Sequence, residues 1–208
     1  MKKMNSKGFT LIELLAVITI MGILMMVAIP SVSRTIENAR RDTFANIAHE
    51  YVNAIRNGVL ADNIECQVTA GGTKTVASAT PDGWYYFVID TTAQGTRDLM
   101  ESGGKSPFGN AELKGYVLWH KQTKNKNTDK QTTTTTYYAK LVDSGKHGFD
   151  KWLLEEDIKR ANMSTATTQD ITNIAAPAAS QQINGVTITN IASAAGTDAS
   201  SFRLCALS

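Results

Sequence analysis

"KGFTLIELLAVITIMGILMMVAIP", residues 7–30, decides how the rest of the chain is read. From Phe9 to Ile29 the only charged side chain is Glu13. At about 1.5 Å of rise per residue, a helix of this length crosses a hydrocarbon core about 30 Å thick. Lys2, Lys3 and Lys7 precede the run, while Arg34 beyond it is offset by Glu37 and only then do Arg40 and Arg41 follow. Lysines retained inside and the chain delivered outside is the orientation this asymmetry favours. The run exceeds the apolar core of a cleaved secretory signal, and Ala28-Ile29-Pro30 is a poor small-x-small cleavage site. A plain signal anchor accounts for the run but not for Glu13. An ionised side chain at membrane depth is costly and marks function by default, and no Lys, Arg or His within the run offers to pair with it.

The stretch "KGFTLIELL" resembles the class III signal of type IV pilins and the related secretion pseudopilins. The resemblance implies that a prepilin peptidase cuts between Gly8 and Phe9 and that Phe9 is then N-methylated. It implies that Glu13 is the acid used in assembly, and that Gly22 and Pro30 match positions where helical order is lost in assembled filaments. The match covers about 30 residues and is specific, because basic leader, Gly-Phe-Thr-Leu-Ile-Glu and unbroken apolar run occur together. Beyond Pro30 the likeness is architectural. The implied fold class is α+β, the type IV pilin fold, in which a long amino-terminal helix packs on an antiparallel β-sheet head. The expected organisation is a leader at 1–8, a membrane or filament-core half-helix at 9–30, an amphipathic half-helix at 31–60 and a head at 61–208. The head is expected to be of low complexity from about residue 164.

Residues read outward from Pro30 fit this division. Val32, Ile36, Ala39, Phe44, Ile47, Ala48, Tyr51, Ile55 and Val59 recur mostly at steps of three and four, one apolar stripe on a helix. Gly58 and Asp62-Asn63 place its end near residue 60. Pro30 lacks an N–H, so a kink or local opening is expected there. Residues 61–80 read as loop. "DGWYYFVID" is apolar on both alternating faces and reads as a central strand covered twice, with the helix as one cover. "YVLWHKQ" (116–122) and "QTTTTTYYAKLV" (131–142) read as strands joined by a hairpin loop, and "GGKSPFGNAELKG" as turns. "RDLMES" (97–102) reads as a helical turn, "GFDKWLLEEDIKRANM" (148–163) as a short helix, and "QINGVTITNI" (182–191) as a last hairpin turning at Asn184-Gly185.

Little else in the chain suggests chemistry. His49, His120 and His147 show no metal-ligand spacing, and no nucleophile elbow, phosphate loop, C-x-x-C or paired-carboxylate motif is present. No enzyme, metal or cofactor is therefore expected. Cys66 and Cys205 fall on the outer side of the membrane, where a disulfide persists. Two readings stand for them, a bond tying the carboxyl tail to the head or two free buried thiols. Lys121, Lys124, Lys126 and Lys130 crowd the hairpin loop, where a solvated loop is the plainer reading and a basic patch for DNA or an anionic cell surface the sharper one. With a formal net charge of only +2, three of the lysines lying in the leader, overall charge does not point to nucleic acid.

The reading as a whole is a structural filament subunit, a major pilin. It is a single-pass precursor in the cytoplasmic membrane and then part of an extracellular type IV pilus serving adhesion, twitching motility, biofilm or DNA uptake. The resemblance implies as partners further copies of the chain, a prepilin peptidase, an assembly ATPase and a platform membrane protein. The alternatives are a minor pilin or secretion pseudopilin and, from a different class, a surface binding domain held by a plain signal anchor.

Overall fold

A computed structural model of the chain describes residues 9–68, 73–93, 96, 99–100, 104–109, 111–124, 129–164, 181–183, 186–190 and 201–208. The chain divides into two compact units, residues 1–40 and 41–208. One helix, α1 (Leu11–Leu60), begins in the first and ends in the second. It starts because Thr10 caps it, the Thr10 carbonyl accepting the first helical bond from the Leu14 N–H at 3.2 Å. It remains helical through Gly22 and Pro30. Pro30 has no N–H to offer, so the carbonyl one turn before it loses its usual donor. The helix ends where Asp62 takes a left-handed φ of 57° and the Asn63 N–H reaches back to the Gly58 carbonyl at 2.9 Å. This pairing closes the last turn and satisfies a carbonyl that would otherwise be orphaned.

In the first unit, every described side chain from Phe9 to Ile36 is exposed. The hydroxyls there are spent inside the helix, Thr19 on the Ala16 carbonyl (2.8 Å) and Thr35 on the Ser31 carbonyl (3.1 Å). The expected apolar stripe therefore begins to be buried only at Phe44, while Val32 and Ile36 stay exposed.

The second unit is a sheet with the end of α1 laid across one face. After the helix come β1 (Ile64–Gln67) and β2 (Lys74–Val76), then β3 (Gly83–Asp90), β4 (Leu113–Lys124), β5 (Thr132–Asp143), β6 (Gly148–Leu154), β7 (Gln181–Ile183), β8 (Val186–Asn190) and β9 (Ser201–Leu207). The order along the main path is β2-β1-β9-β3-β4-β5-β6. Antiparallel β7–β8 pairing supplies the expected last hairpin, and β8 also runs parallel beside β9.

Period-two alternation sorts the apolar residues onto the two faces. Tyr85, Phe87 and Ile89 of β3, Val117 and Trp119 of β4, and Tyr137, Ala139 and Leu141 of β5 share one core with Phe44, Ala48, Tyr51, Val52 and Ile55 of α1. Trp84, Tyr86, Tyr116, Leu118 and Tyr138 form a second cluster, with Trp152, Leu154 and Leu204 packed against it. The expectation that β3 is central and apolar on both faces, with α1 over one of them, matches this arrangement.

Three expectations are corrected. Residues 148–163 form no α-helix. They form the edge strand β6 followed by 3-10 turns at Glu155–Asp157 and Arg160–Asn162. Phe149, Trp152, Leu153 and Ile158, the apolar side expected of such a helix, divide instead between the two cores, Trp152 going to one and the other three to the other. Gly148 opens the strand at φ 139°, and a Cβ there would lie 3.0 Å from the Phe44 ring. The sheet is mixed rather than antiparallel, because β9 runs antiparallel to β1 and parallel to β3. Since β1 and β3 run in opposite directions, any strand between them must be parallel to one. The loop read at 61–80 holds the short pair β1–β2. The helical turn read at 97–102 lies largely outside the described residues.

Cys66 and Cys205 face each other across β1 and β9 and are disulfide-bonded, with Cα atoms 4.0 Å apart. The bond closes a span of 139 residues and ties the last strand to the one that follows α1. The turn at 104–109 is held by the fully buried Asp143. Its carboxylate accepts from the Ser106 hydroxyl at 2.6 Å and from the His147 N–H at 2.8 Å, while Phe108 stacks on the His147 ring at 4.1 Å. Behind this turn the Tyr51 hydroxyl is buried without a hydrogen-bond partner among the described residues, pressed against Gly104, whose φ is +58°. Burial, helped by the Glu50 charge, pushes Tyr51 up to about 12.

Replacing both cysteines by serine should lower the stability of the head by about 4–5 kcal/mol on the chain-entropy account. Denaturant titration of the detergent-solubilised chain, followed by tryptophan emission, measures the change. In the same assay Tyr51→Phe, which removes an unpaired buried hydroxyl, should raise stability by about 1 kcal/mol.

Candidate functional site

The site begins at the first residue of the structure that carries an unusual charge. Glu13 lies in the first turn of α1 and is clasped by Thr10. The Thr10 N–H donates to Glu13 Oε2 at 2.9 Å and the Thr10 hydroxyl donates to the same oxygen at 2.7 Å. In return the Glu13 N–H donates to Thr10 Oγ1 at 3.3 Å. This is a reciprocal capping box, in which the cap residue and the acid three positions on satisfy each other's orphan groups. The helix dipole adds to it, since negative charge is favoured at an amino terminus. Glu13 Oε1 is bonded by no described residue, so the carboxylate carries one satisfied oxygen and one open oxygen.

Around this acid the surface is apolar. Phe9 and Leu11 are each 83% exposed, and Ile12, Leu14, Leu15, Val17 and Ile18 are all exposed. Isolated exposed apolar residues are ordinary, but a continuous exposed patch of this extent marks an interaction surface for lipid or protein. By length and composition α1 is able to cross a membrane. Gly22 borders open space, a Cβ there meeting nothing within 4 Å. Among the described residues no contact from outside the helix backbone demands glycine at that position. Residues 1–8, Gly8 among them, lie outside the described residues.

Residues 3–29 match the family described as the prokaryotic N-terminal methylation motif. They are the prepilin signal of type IV pilins and pseudopilins. Comparison with curated proteins and with solved structures gave no match. A prepilin signal suggests processing by a prepilin peptidase and filament assembly. Combined with the apolar helix, it supports a membrane-anchored precursor. The α+β architecture of α1 on the sheet is that of the type IV pilin fold.

The other residues singled out in the sequence lie far apart in the fold, and the three histidines have structural contacts. His49 bonds the Ile158 carbonyl through Nε2 at 2.9 Å, His120 stacks on Trp84 at 4.2 Å, and His147 faces Asp143. Lys121 is not part of the hairpin loop. It sits in β4, its Nζ donating to the Ser78 and Thr80 carbonyls at 2.7 Å each, which removes it from the basic patch. Lys124 also belongs to β4, Lys130 lies in the turn before β5, and Lys126 falls outside the described residues. The residue that sequence reading missed is Thr10. Its signal is the T-x-x-E at 10–13, the spacing of a capping box.

Burial holds His120 below the ordinary imidazole value, against a smaller opposing pull from Asp82. Its contribution to stability is therefore full above the unfolded value of about 6.5. It is lost as pH falls from there toward the lower folded value. Denaturation measured from pH 7.5 to pH 5 should show this loss, and His120→Gln should flatten that part of the profile.

Proposed function

We propose that this protein is the major subunit of an extracellular type IV pilus, cut after Gly8, N-methylated at Phe9 and polymerised through its amino-terminal helix. The observation that carries this reading is the joint presence of a methylation motif at 3–29 and a helix whose apolar surface from Phe9 to Ile29 lies bare. Such a surface is at home in lipid before assembly. Packed against copies of itself it makes a filament core, so one set of residues serves both surroundings. Contacts of this kind run head to tail and build an open helix rather than a closed oligomer. Extraction from the membrane requires an assembly ATPase and a platform protein, the partners the signal class implies. Glu13 is the docking acid. Cleavage creates an amine on Phe9 that is largely cationic at neutral pH, with a reference pKa of about 7.7–8.0. Pairing that amine with a carboxylate in a low-dielectric core neutralises both and sets the axial register. Gly22 and Pro30 frame the stretch that loses helical order in the filament. Gly22 lowers helical propensity at one end of the stretch and Pro30 removes a backbone hydrogen bond at the other.

Mass spectrometry of sheared surface filaments tests this reading. The expected species lacks residues 1–8, carries one added methyl group and is the bulk component. A trace component would mean a minor subunit, and an intact Met1 would mean a plain signal anchor. Glu13→Val should leave the protein in the membrane but sharply reduce its share of the filament, as quantified by immunoblot of the sheared fraction. A filament density map with unbroken helical bonding from Gly22 to Pro30 would remove the order-loss step.

A further inference from the structure

We propose that the outer edge of β5, from Thr132 to Tyr137, is a pairing surface for the same edge of a second copy of this chain, the two strands running antiparallel about a two-fold axis. Among the described residues, β6 covers β5 only from Tyr138 to Val142. On its other side β5 is accompanied by β4 along its whole length, from Lys124 opposite Thr132 to Leu113 opposite Asp143. The first half of β5 therefore keeps one row of backbone N–H and C=O groups outside the sheet, and such a row is a template for another strand. β6 does not continue along it, because the chain turns away into the 3-10 turn Glu155–Asp157. The place it leaves is a cavity of about 530 Å³ lined by His49, Thr135, Thr136, Leu154, Glu155 and Glu156, together with Tyr137.

Two features name the occupant. First, nothing blunts this edge. Sheet edges are ordinarily protected by charged side chains, proline or a bulge. Thr132–Tyr137 holds no charge and no proline, and the irregularity in the pairing of β5 with β6 comes later, between Ala139 and Leu141. Five consecutive threonines instead supply β-branched side chains suited to an extended strand. Second, the edge is complementary to itself in charge. At its start Lys124 and Lys130 are exposed beside the single acid Asp129. Near its end Glu156 is exposed, next to the Glu155 that pairs with Arg56. Antiparallel pairing of the two edges sets Thr132 of one copy opposite Tyr137 of the other. Lys130, two residues before Thr132, then arrives at the Leu154–Glu156 turn of the other copy, and the two-fold makes this contact twice. Parallel pairing would set lysine against lysine and glutamate against glutamate. The contact uses nothing of the apolar half of α1. On the pilin reading it joins heads of separate filaments, because copies along one polar helical filament are not related by such two-folds.

The test is amide hydrogen exchange on the detergent-solubilised full chain at low and at high protein concentration. The outward-facing amides between Thr132 and Tyr137 should exchange about tenfold more slowly in the concentrated sample. The amides bonded to β4 should stay protected in both samples, which reports an intact head in every variant. Thr134→Lys, which brings like charges together beside the two-fold axis, should abolish the slowing. Glu156→Lys and Lys130→Glu should each weaken it, and the double variant Lys130→Glu/Glu156→Lys should restore it. Slow exchange of the outward amides at every concentration would mean that the chain's own residues cover the edge. Fast exchange at every concentration, including in a sample associated through α1, would mean that no second copy pairs there. Either result overturns the proposal. So does slowing that persists in Thr134→Lys, or a double variant that stays as weak as the single ones. The readout needs no filament, so its outcome is independent of whether the chain builds a pilus.

Discussion

The molecule is organised by an apolar helical surface that its own chain leaves uncovered. From Phe9 to Ile29 the side chains of α1 lie open, and within that stretch the one charge is Glu13. A surface of this size in contact with water would be strongly unfavourable, so it belongs in lipid or against other apolar helices. The backbone accepts either setting because a helix satisfies its own polar groups, and the hydroxyls of Thr19 and Thr35 are turned back onto helical carbonyls. Two features interrupt this self-sufficiency. One is the carbonyl orphaned by Pro30, and the other is the open oxygen of Glu13. Both lie in the part of the helix that lacks cover.

The head solves a different problem, the stable closure of a small sheet whose last strand lies in its middle. The ribbon β1–β2 follows directly on α1, and the meander β3–β6 is built from hairpins, yet the main path of the sheet joins the two only through β9. Completion of the sheet therefore waits on the carboxyl-terminal residues. The disulfide between Cys66 and Cys205 fixes that closure. The Ser208 N–H adds a bond to the Asn63 carbonyl at 2.9 Å beside the end of α1. Arg56 of α1 pairs with Glu155, and Arg160 reaches Asp42 of α1 at 2.9 Å. These ties bring the turns after β6 onto the same stretch of helix that carries Phe44, Tyr51 and Ile55.

The long helix, the central strand β3 and the hairpin β4–β5 were legible in the sequence, because each repeats its pattern over many residues. β1 and β2 were not, since strands of four and three residues offer too few alternations to stand out from loop. The misreading of 148–163 has a specific origin. Spacings of three and four between Phe149, Trp152 and Leu153 fit a helix as well as they fit a strand with a bulge, and the register of β5 against β6 shifts between Ala139 and Leu141. Only the presence of two cores, one on each face of the sheet, separates the cases. Thr10 went unseen for a related reason, because its importance lies in a pair of bonds rather than in its own character.

Sequence alone determined the prepilin signal at 3–29, the membrane-length helix, the isolated acid and the absence of a recognisable catalytic motif, because those properties reside in residue identity and short-range spacing. Tertiary structure decided the rest. It placed β9 between β1 and β3, brought Cys66 within reach of Cys205, set Lys121 to structural work and divided the apolar residues of β6 between two cores. Those outcomes depend on which distant segments share a sheet, and pairing between residues more than a hundred positions apart leaves no trace in local pattern.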